Sequence, residues 1–437
     1  MGGGAPVTPG TRSAELYERA LGLIPGGVNS PVRAMNAIGR DPIFVERGEG
    51  AELVDVDGNR YVDWVMSWGP LIAGHAHPEV VAAVTAAAGA GTSFGAPTAA
   101  EVELATEVAR RVPSAELVRM TSSGTEAAMS AVRLARAVTG RDPVVKFAGA
   151  YHGHVDGLLA QAGSGLATQG MPASPGVTAA QAADTIVVPW NDRAAVETAL
   201  AAQPVAALLC EPAPANMGLV PAEPGFLEFL RDATASAGAL LVFDEVISGF
   251  RVGPGGVQER AGVTPDLTIL GKVLGGGLPA AAYTGPEELM SQVAPAGPVY
   301  QAGTLSGNPL ATAAGLATLR LLDAAAYGRL EATTERLARG LEEAAAEAGV
   351  AVTVPWTCGL LTVFVTGDGA RPPVQVRDYE GAKACDAATY GAFCRAMLDR
   401  GVYPPASQFE AWFVSLAHGE EHVERTLAAA REAFASL

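Results

Sequence analysis

Lysine is almost missing from this sequence. Of 437 residues only Lys146, Lys272 and Lys383 carry a primary amine, and the rest of the basic side is arginine. A mechanism that needs an amine therefore has three candidates. Basic residues as a whole are scarce: 29 Lys+Arg face 46 Asp+Glu, a net charge of −17 at pH 7. A chain this acidic lacks the positive surface on which nucleic-acid or anionic-membrane binding depends, so neither partner is expected. Cysteine is sparse too. Cys210, Cys358, Cys385 and Cys394 are scattered with no C-x-x-C, which argues against a disulfide framework and a zinc site and suits a reducing compartment. The pairs His75/His77 and His152/His154 lack a nearby cysteine or carboxylate set, so no metal is expected. Residues 80–100 are uncharged but rich in Ala, Gly, Thr and Pro, unlike a lipid-compatible run. The segment MGGGAPVTPGTRS has no apolar centre and does not read as a signal peptide. Neither a Walker motif nor G-x-G-x-x-G is present, which removes the fingerprint of a nucleotide-dependent oxidoreductase. A soluble cytoplasmic protein is expected.

What remains is ample for a core, since 49% of residues are hydrophobic. The middle of the chain alternates short apolar runs with helical stretches. LVRM (117–120), VVKF (144–147), TIVV (185–188), VAALLC (205–210), ALLVF (239–243), LTIL (267–270) and AAAYT (280–284) read as strands. EAAMSAVRLARAV (126–138) and GFLEFLRDATASA (225–237) read as helices between them. Repeated β-α-β alternation predicts an α/β fold: a mostly parallel seven-stranded sheet sandwiched by helices, with ligand-binding loops at the strand C-termini. Residues 43–66 read as short antiparallel strands with a turn at Asp57-Gly58. Beyond residue 310 one long helical segment is expected from Pro309 towards Ala348, then short strands near 351–354 and 360–365 and a final helix at 420–436. The expected division is an N-terminal segment (1–75) packing with a smaller α+β domain (319–437), and a large domain between them (76–318).

Three segments carry chemistry. In TSSGTEAAMSAVRLAR (121–136) a strand ends and a helix begins with hydroxyls and free N–H groups, an anion cradle suited to phosphate. S-G-T-E is also an ordinary capped helix start, and taken alone the segment reads that way first. In ALLVFDEVISGFR (239–251) Asp244 directly follows a buried-type strand. A carboxylate there suits a protonated ring nitrogen, and equally the cap of the next helix. In DLTILGKVLGGGLPAAAYTG (266–285) Lys272 lies two residues beyond a strand and before three glycines. A partly desolvated amine there has a lowered pKa and suits imine formation. Lys146 lies inside an apolar strand and Lys383 in a polar stretch. Cradle, acid and amine together are what pyridoxal phosphate requires, with Tyr151 as the natural ring-stacking aromatic.

On these residues, and on PGGVNSPVRA (25–34), YHGHVD (151–156), AGSGLAT (162–168), EPAPANMG (211–218) and PVYQAGTLSGNPLA (298–311), the chain resembles the class III aminotransferases of fold type I. Within that family the N-S-P-V-R, Y-H-G-H, A-G-S-G and Q-A-G-T-L-S-G-N-P segments resemble the aminomutase branch. The resemblance implies pyridoxal 5'-phosphate and pyridoxamine 5'-phosphate as cofactors. It implies Lys272 as imine lysine and proton shuttle, Asp244 at the ring nitrogen, and Tyr151 stacked on the ring with His152 beside it. Ser123, Gly124 and Thr125 would lie on the phosphate, and Asn216 by the 3-hydroxyl. Thr304 would reach the phosphate of the neighbouring subunit, so a homodimer with active sites at the subunit interface is implied. Ser30 and Arg33, with Trp68 nearby, would hold the substrate carboxylate, and Glu410 would be a gating acid. The implied activity is amino transfer within one small molecule, glutamate 1-semialdehyde to 5-aminolevulinate through a bound diamine. The alternative is an ω-aminotransferase with a separate acceptor. Keeping the diamine bound implies a lid, placed at residues 150–181. One departure stands out: Ala148 replaces a glutamate that the family carries there. A non-catalytic binding protein on this scaffold is disfavoured by the intact lysine, aspartate and cradle.

Overall fold

The computed structural model describes residues 10–160, 174–367 and 374–437. Near the N-terminus, β1 (Val45–Glu49), β2 (Glu52–Asp55) and β3 (Arg60–Asp63) form an antiparallel meander, with the expected turn at Gly58 (φ +88°). The central sheet contains β4 (Leu117–Thr121), β5 (Val144–Phe147), β6 (Thr185–Val188), β7 (Ala207–Cys210), β8 (Leu240–Glu245), β9 (Leu267–Leu270) and β10 (Ala281–Gly285). Their order is β4-β10-β9-β8-β7-β5-β6, and only β10 runs antiparallel to its neighbours. The mostly parallel seven-stranded sheet read from the alternation is therefore the one found.

Period-two alternation, with both faces covered, explains why these runs are mostly apolar. On β8, Leu241 and Phe243 face one hydrophobic cluster with Phe226 and Leu230 of the helix Phe226–Ala237. Val242 faces another, with Ala127, Ala131 and Leu134 of the helix Gly124–Thr139. A strand covered on both faces has no polar side to show. Each fully buried large side chain of this kind contributes ~1.5–3 kcal/mol.

Further along, β11 (Ala351–Thr353) pairs with β14 (Phe364–Gly367), while β12 (Trp356–Thr357), β13 (Leu360–Leu361) and β16 (Trp412–Phe413) form a separate small sheet. The single strand expected over 360–365 is thus two, in different sheets. β15 (Val402–Tyr403) joins the N-terminal meander in parallel with β3. The long helix expected from Pro309 is also two, Pro309–Arg320 and Ala324–Glu347. Asp323 causes the break: its carboxylate accepts the Ala326 N–H at 2.7 Å and starts a new helix. One continuous core runs from Ile38, Tyr61 and Trp64 through Leu104, Leu274 and Leu341 to Trp412 and Phe434. Among the described residues no helix is long and apolar enough to cross a membrane.

Candidate active site at the C-terminal edge of the sheet

Because β4, β5, β7, β8 and β9 all point the same way, the residues after each emerge along one edge. Register places the chemistry: Asp244 pairs with Ile269 and Glu245 with Leu270, so Lys272 follows two residues past the point where β8 ends. Val246 lies between the cradle and the lysine loop. A Cβ on Gly124 would sit 3.3 Å from it, and one on Gly271 3.2 Å from it.

Asp244 lies inside β8 rather than after it, because the ladder continues through Glu245. The helix-capping role that was open for Asp244 falls to Glu245. That buried carboxylate accepts the Val257 and Gln258 N–H groups at 2.9 and 3.1 Å and the Ser248 hydroxyl at 2.7 Å. Adjacent strand residues face opposite sides, which leaves Asp244 directed to the crevice edge. It is buried, its Oδ2 lies 2.7 Å from Nδ1 of the buried His152, and its Oδ1 accepts the Val246 N–H. The other nitrogen of His152, Nε2, has no partner among the described residues.

The cradle serves both roles weighed for it. Ser123 and Glu126 form a capping box, with the Glu126 N–H on Ser123 Oγ at 3.3 Å and the Ser123 N–H on Glu126 Oε2 at 3.0 Å. Gly124 and Thr125 are the first helical residues, so their N–H groups have no intrahelical acceptor. The Y-H-G-H loop folds onto this turn. Thr125 Oγ1 accepts the His154 N–H at 3.3 Å, and a Cβ on Gly153 (φ +80°) would come within 2.6 Å of Thr125 Cα. Tyr151, 39% exposed, keeps its ring accessible while its N–H donates to Glu211 Oε1 at 2.8 Å. Burial raises the pKa of its hydroxyl.

Lys272 stands in the left-handed region (φ +46°), and its Nζ donates to the Trp68 carbonyl at 2.7 Å. Burial of the amine lowers its pKa to about 8, against the raising pull of Glu410, Glu211 and Asp244. Trp68 belongs to an unusual turn. Met66, Ser67 and Trp68 have φ of 46°, 59° and 66°, followed by Gly69 at 117°. Left-handed backbone costs a non-glycine residue roughly 1–2 kcal/mol, so this turn needs external support. Asp63 supplies part of it: Oδ1 accepts the Val65 and Met66 N–H groups at 2.8 and 3.1 Å, while Oδ2 pairs with His75 Nε2 at 2.7 Å.

The edge thus gathers Lys272, Asp244, His152, Tyr151, Ser123, Gly124, Thr125 and Trp68, and Glu410 is close enough to act on both Lys272 and Tyr151. Asn216 is half-buried in the loop after β7, next to Ala215, whose N–H donates to Glu211 Oε2 at 3.0 Å. Ser30 starts the short helical turn Pro31–Ala34, and Arg33 is exposed, its charge acting on Tyr403 of β15. Thr304 is exposed, and no hydrogen bond joins it to the other site residues among those described. Residues 161–173, the centre of the expected lid, lie outside the described residues.

Two site residues were not singled out from the sequence. Glu211 is buried, its pKa raised by that burial. It follows the apolar run of β7 just as Asp244 follows that of β8, and that parallel is the signal that could have found it. Arg251 is fully buried, and nothing in G-F-R-V separates it from a surface arginine.

Pyridoxal phosphate or its amine form fits these donors. The free first-turn N–H groups suit a phosphate. Asp244 suits a ring nitrogen, and the unpartnered His152 Nε2 waits for a polar group in the same crevice.

The sequence profile of the class III aminotransferases matches residues 35–425, and the chain belongs to that family. Its relatives narrow the class. A glutamate-1-semialdehyde 2,1-aminomutase of Roseiflexus castenholzii is 58% identical over 98% of both chains. Another, of Thermomicrobium roseum, is 56% identical over 97% of this chain and 98% of its own. Among solved structures, an omega-transaminase from Sphaerobacter thermophilus superposes with a TM-score of 0.88 at 36% identity over 98% of both chains. A glutamate-1-semialdehyde-aminomutase from Pseudomonas aeruginosa in complex with PMP gives 0.83 at 28% identity, over 97% of this chain and 94% of that one.

Proposed function

We propose that this protein is a pyridoxal-phosphate-dependent aminomutase that converts glutamate 1-semialdehyde to 5-aminolevulinate, a step of tetrapyrrole (porphyrin) biosynthesis. The observation that carries the reading is the half-buried Lys272 amine, held on the Trp68 carbonyl one strand away from Asp244. The runner-up, an ω-aminotransferase, has a structural neighbour of that kind at 36% identity, whereas relatives named as aminomutases reach 56–58%.

When bound, the cofactor supplies a transferable amine and a ring that accepts electrons. The chain supplies the rest. Asp244, oriented by His152 and the Val246 N–H, holds the proton of the ring nitrogen. Tyr151 would cover one face of the ring, Ser123, Gly124 and Thr125 would bind the phosphate, and Asn216 would border the 3-hydroxyl. Lys272 takes and returns a proton at Nζ. A pKa near 8 leaves part of the amine neutral at physiological pH, as a proton shuttle needs. Ser30, Arg33 and Trp68 hold the substrate carboxylate, Glu410 gates the site, and residues 150–181 retain the diamine between the two transfers.

The active unit is a homodimer. The helix Pro78–Ala90 has Glu79 as its one charged residue and buries no residue in its own chain. Val81 and Phe94 are 48% and 53% exposed. A second copy would cover this face and bring Thr304 to its partner's cofactor. Four free, buried thiols suit the reducing cytoplasm.

The deciding experiment supplies purified enzyme with glutamate 1-semialdehyde alone. Formation of 5-aminolevulinate without an added amino donor supports the proposal. A strict requirement for a second keto or amino substrate would replace it by the ω-aminotransferase reading.

A further inference from the structure

Arg251 is a fully buried cation with no ion pair among the described residues. Its guanidinium is held instead by three carbonyls from distant parts of the chain. Nη1 donates to Val414 at 2.8 Å and to Gly359 at 3.2 Å, and Nη2 donates to Gly69. Its Nε has no partner. The Gly69 carbonyl closes the left-handed turn whose Trp68 carbonyl receives Lys272, so Arg251 grips that turn at the end opposite Asp63. A second link is electrostatic. The Phe413 ring is shared by two cations, with the Arg251 guanidinium carbon 5.2 Å and Lys272 Nζ 5.7 Å from its centroid. Both distances fall within cation–π range.

We propose that Arg251 is a positioning residue for Lys272: it fixes the turn that carries the amine's acceptor and sets a like charge beside the amine, with Phe413 shared between them. The inference rests on Lys272 being the working amine. The groups facing that amine are Glu410, Glu211 and Asp244, which favour its charged form, and Arg251, which opposes it. An unneutralised buried guanidinium is costly for the fold, and the three carbonyls with the shared ring are what hold it in place.

The signs are opposite for the two neighbours. Removing the Arg251 charge favours protonated Lys272 and raises its titration midpoint. Removing the Phe413 ring withdraws a stabilising face from the cation and lowers the midpoint. The test uses the pyridoxamine-loaded holoenzyme. The rate at which trinitrobenzenesulfonate labels Lys272, read by peptide mass spectrometry, is followed against pH for wild type, Arg251→Gln, Arg251→Lys and Phe413→Leu. Circular dichroism checks folding. The expected result is an upward shift for Arg251→Gln, little change for Arg251→Lys, and a downward shift for Phe413→Leu, with the acid limb of the kcat profile moving alike. A folded Arg251→Gln protein with an unmoved midpoint overturns the proposal, as does an equal shift in Arg251→Lys. If Arg251→Gln does not fold, Phe413→Leu decides: a downward shift supports the link, and an unmoved or raised midpoint ends it. Full turnover in Lys272→Ala would instead overturn the assignment of the working amine, whatever Arg251 does.

Discussion

Of the three lysines, Lys146 is buried and Lys272 half-buried, for different reasons. Lys272 ends at the crevice edge, whereas Lys146 is sealed inside β5 with its Nζ on the Leu158 carbonyl at 2.9 Å. Burial lowers the Lys146 pKa from 10.5 to about 8. Below about pH 8 the folded state must keep a desolvated charge. Between pH 8 and 10.5 the unfolded chain holds more of this proton than the folded one, so the penalty fades as pH rises. The stability of wild type relative to Lys146→Met should therefore climb across that window by up to about 3 kcal/mol. Chemical denaturation of both proteins along a pH series measures it, and a flat difference would contradict it. At Lys272 the expectation concerns rate: Lys272→Ala should lose on the order of 10²–10⁴ in turnover, measured as 5-aminolevulinate formed. At Glu211 it concerns stability. Glutamine keeps one acceptor where the carboxylate uses two, so one of the Tyr151 and Ala215 N–H groups loses its partner. Thermal unfolding should report a cost of about 1–3 kcal/mol for Glu211→Gln.

Secondary elements divide into those with local signals and those without. The seven strands of the central sheet are legible because burial, on both faces for the inner strands, leaves mostly apolar runs between turn residues. Asp244 and Lys272 are legible through the same runs, each placed by the strand before it. The break after Arg320 was missed because Ala-rich sequence on both sides sustains one helical reading, and the single cap at Asp323 is easily passed over. The left-handed turn Met66–Gly69 has no local signal at all. Met, Ser and Trp do not favour positive φ, and the groups that impose it, Asp63 and Arg251, act from outside the turn. The capping box at Ser123 yields a prediction at this level. Ser123→Ala should destabilise the fold by about 1 kcal/mol in denaturant titration and weaken cofactor retention in dialysis, because one hydroxyl serves both the helix and the cradle.

For the molecule as a whole, the surface matters as much as the core. The helix Pro78–Ala90 is the wrong composition for water and the right one for a partner copy. Val81→Asp should shift the sedimentation equilibrium from dimer towards monomer. On the proposed homodimer it should also cost activity in proportion, because Thr304 is proposed to reach the partner's cofactor. A dimer unaffected by this change would place the interface elsewhere.

The Arg251 clamp also bears on synthesis. The guanidinium ties Gly69 to Gly359 and Val414, and β3 finds its parallel neighbour only at Val402. At about 5–20 residues per second, the first third of the active site waits tens of seconds on the ribosome for the segment that will lock it. The central sheet can collapse during that interval. The Arg251 clamp on the amine's acceptor turn is incomplete until Val414 has emerged, so a chain stalled or clipped before Val414 would hold a formed cofactor cradle and a less supported lysine.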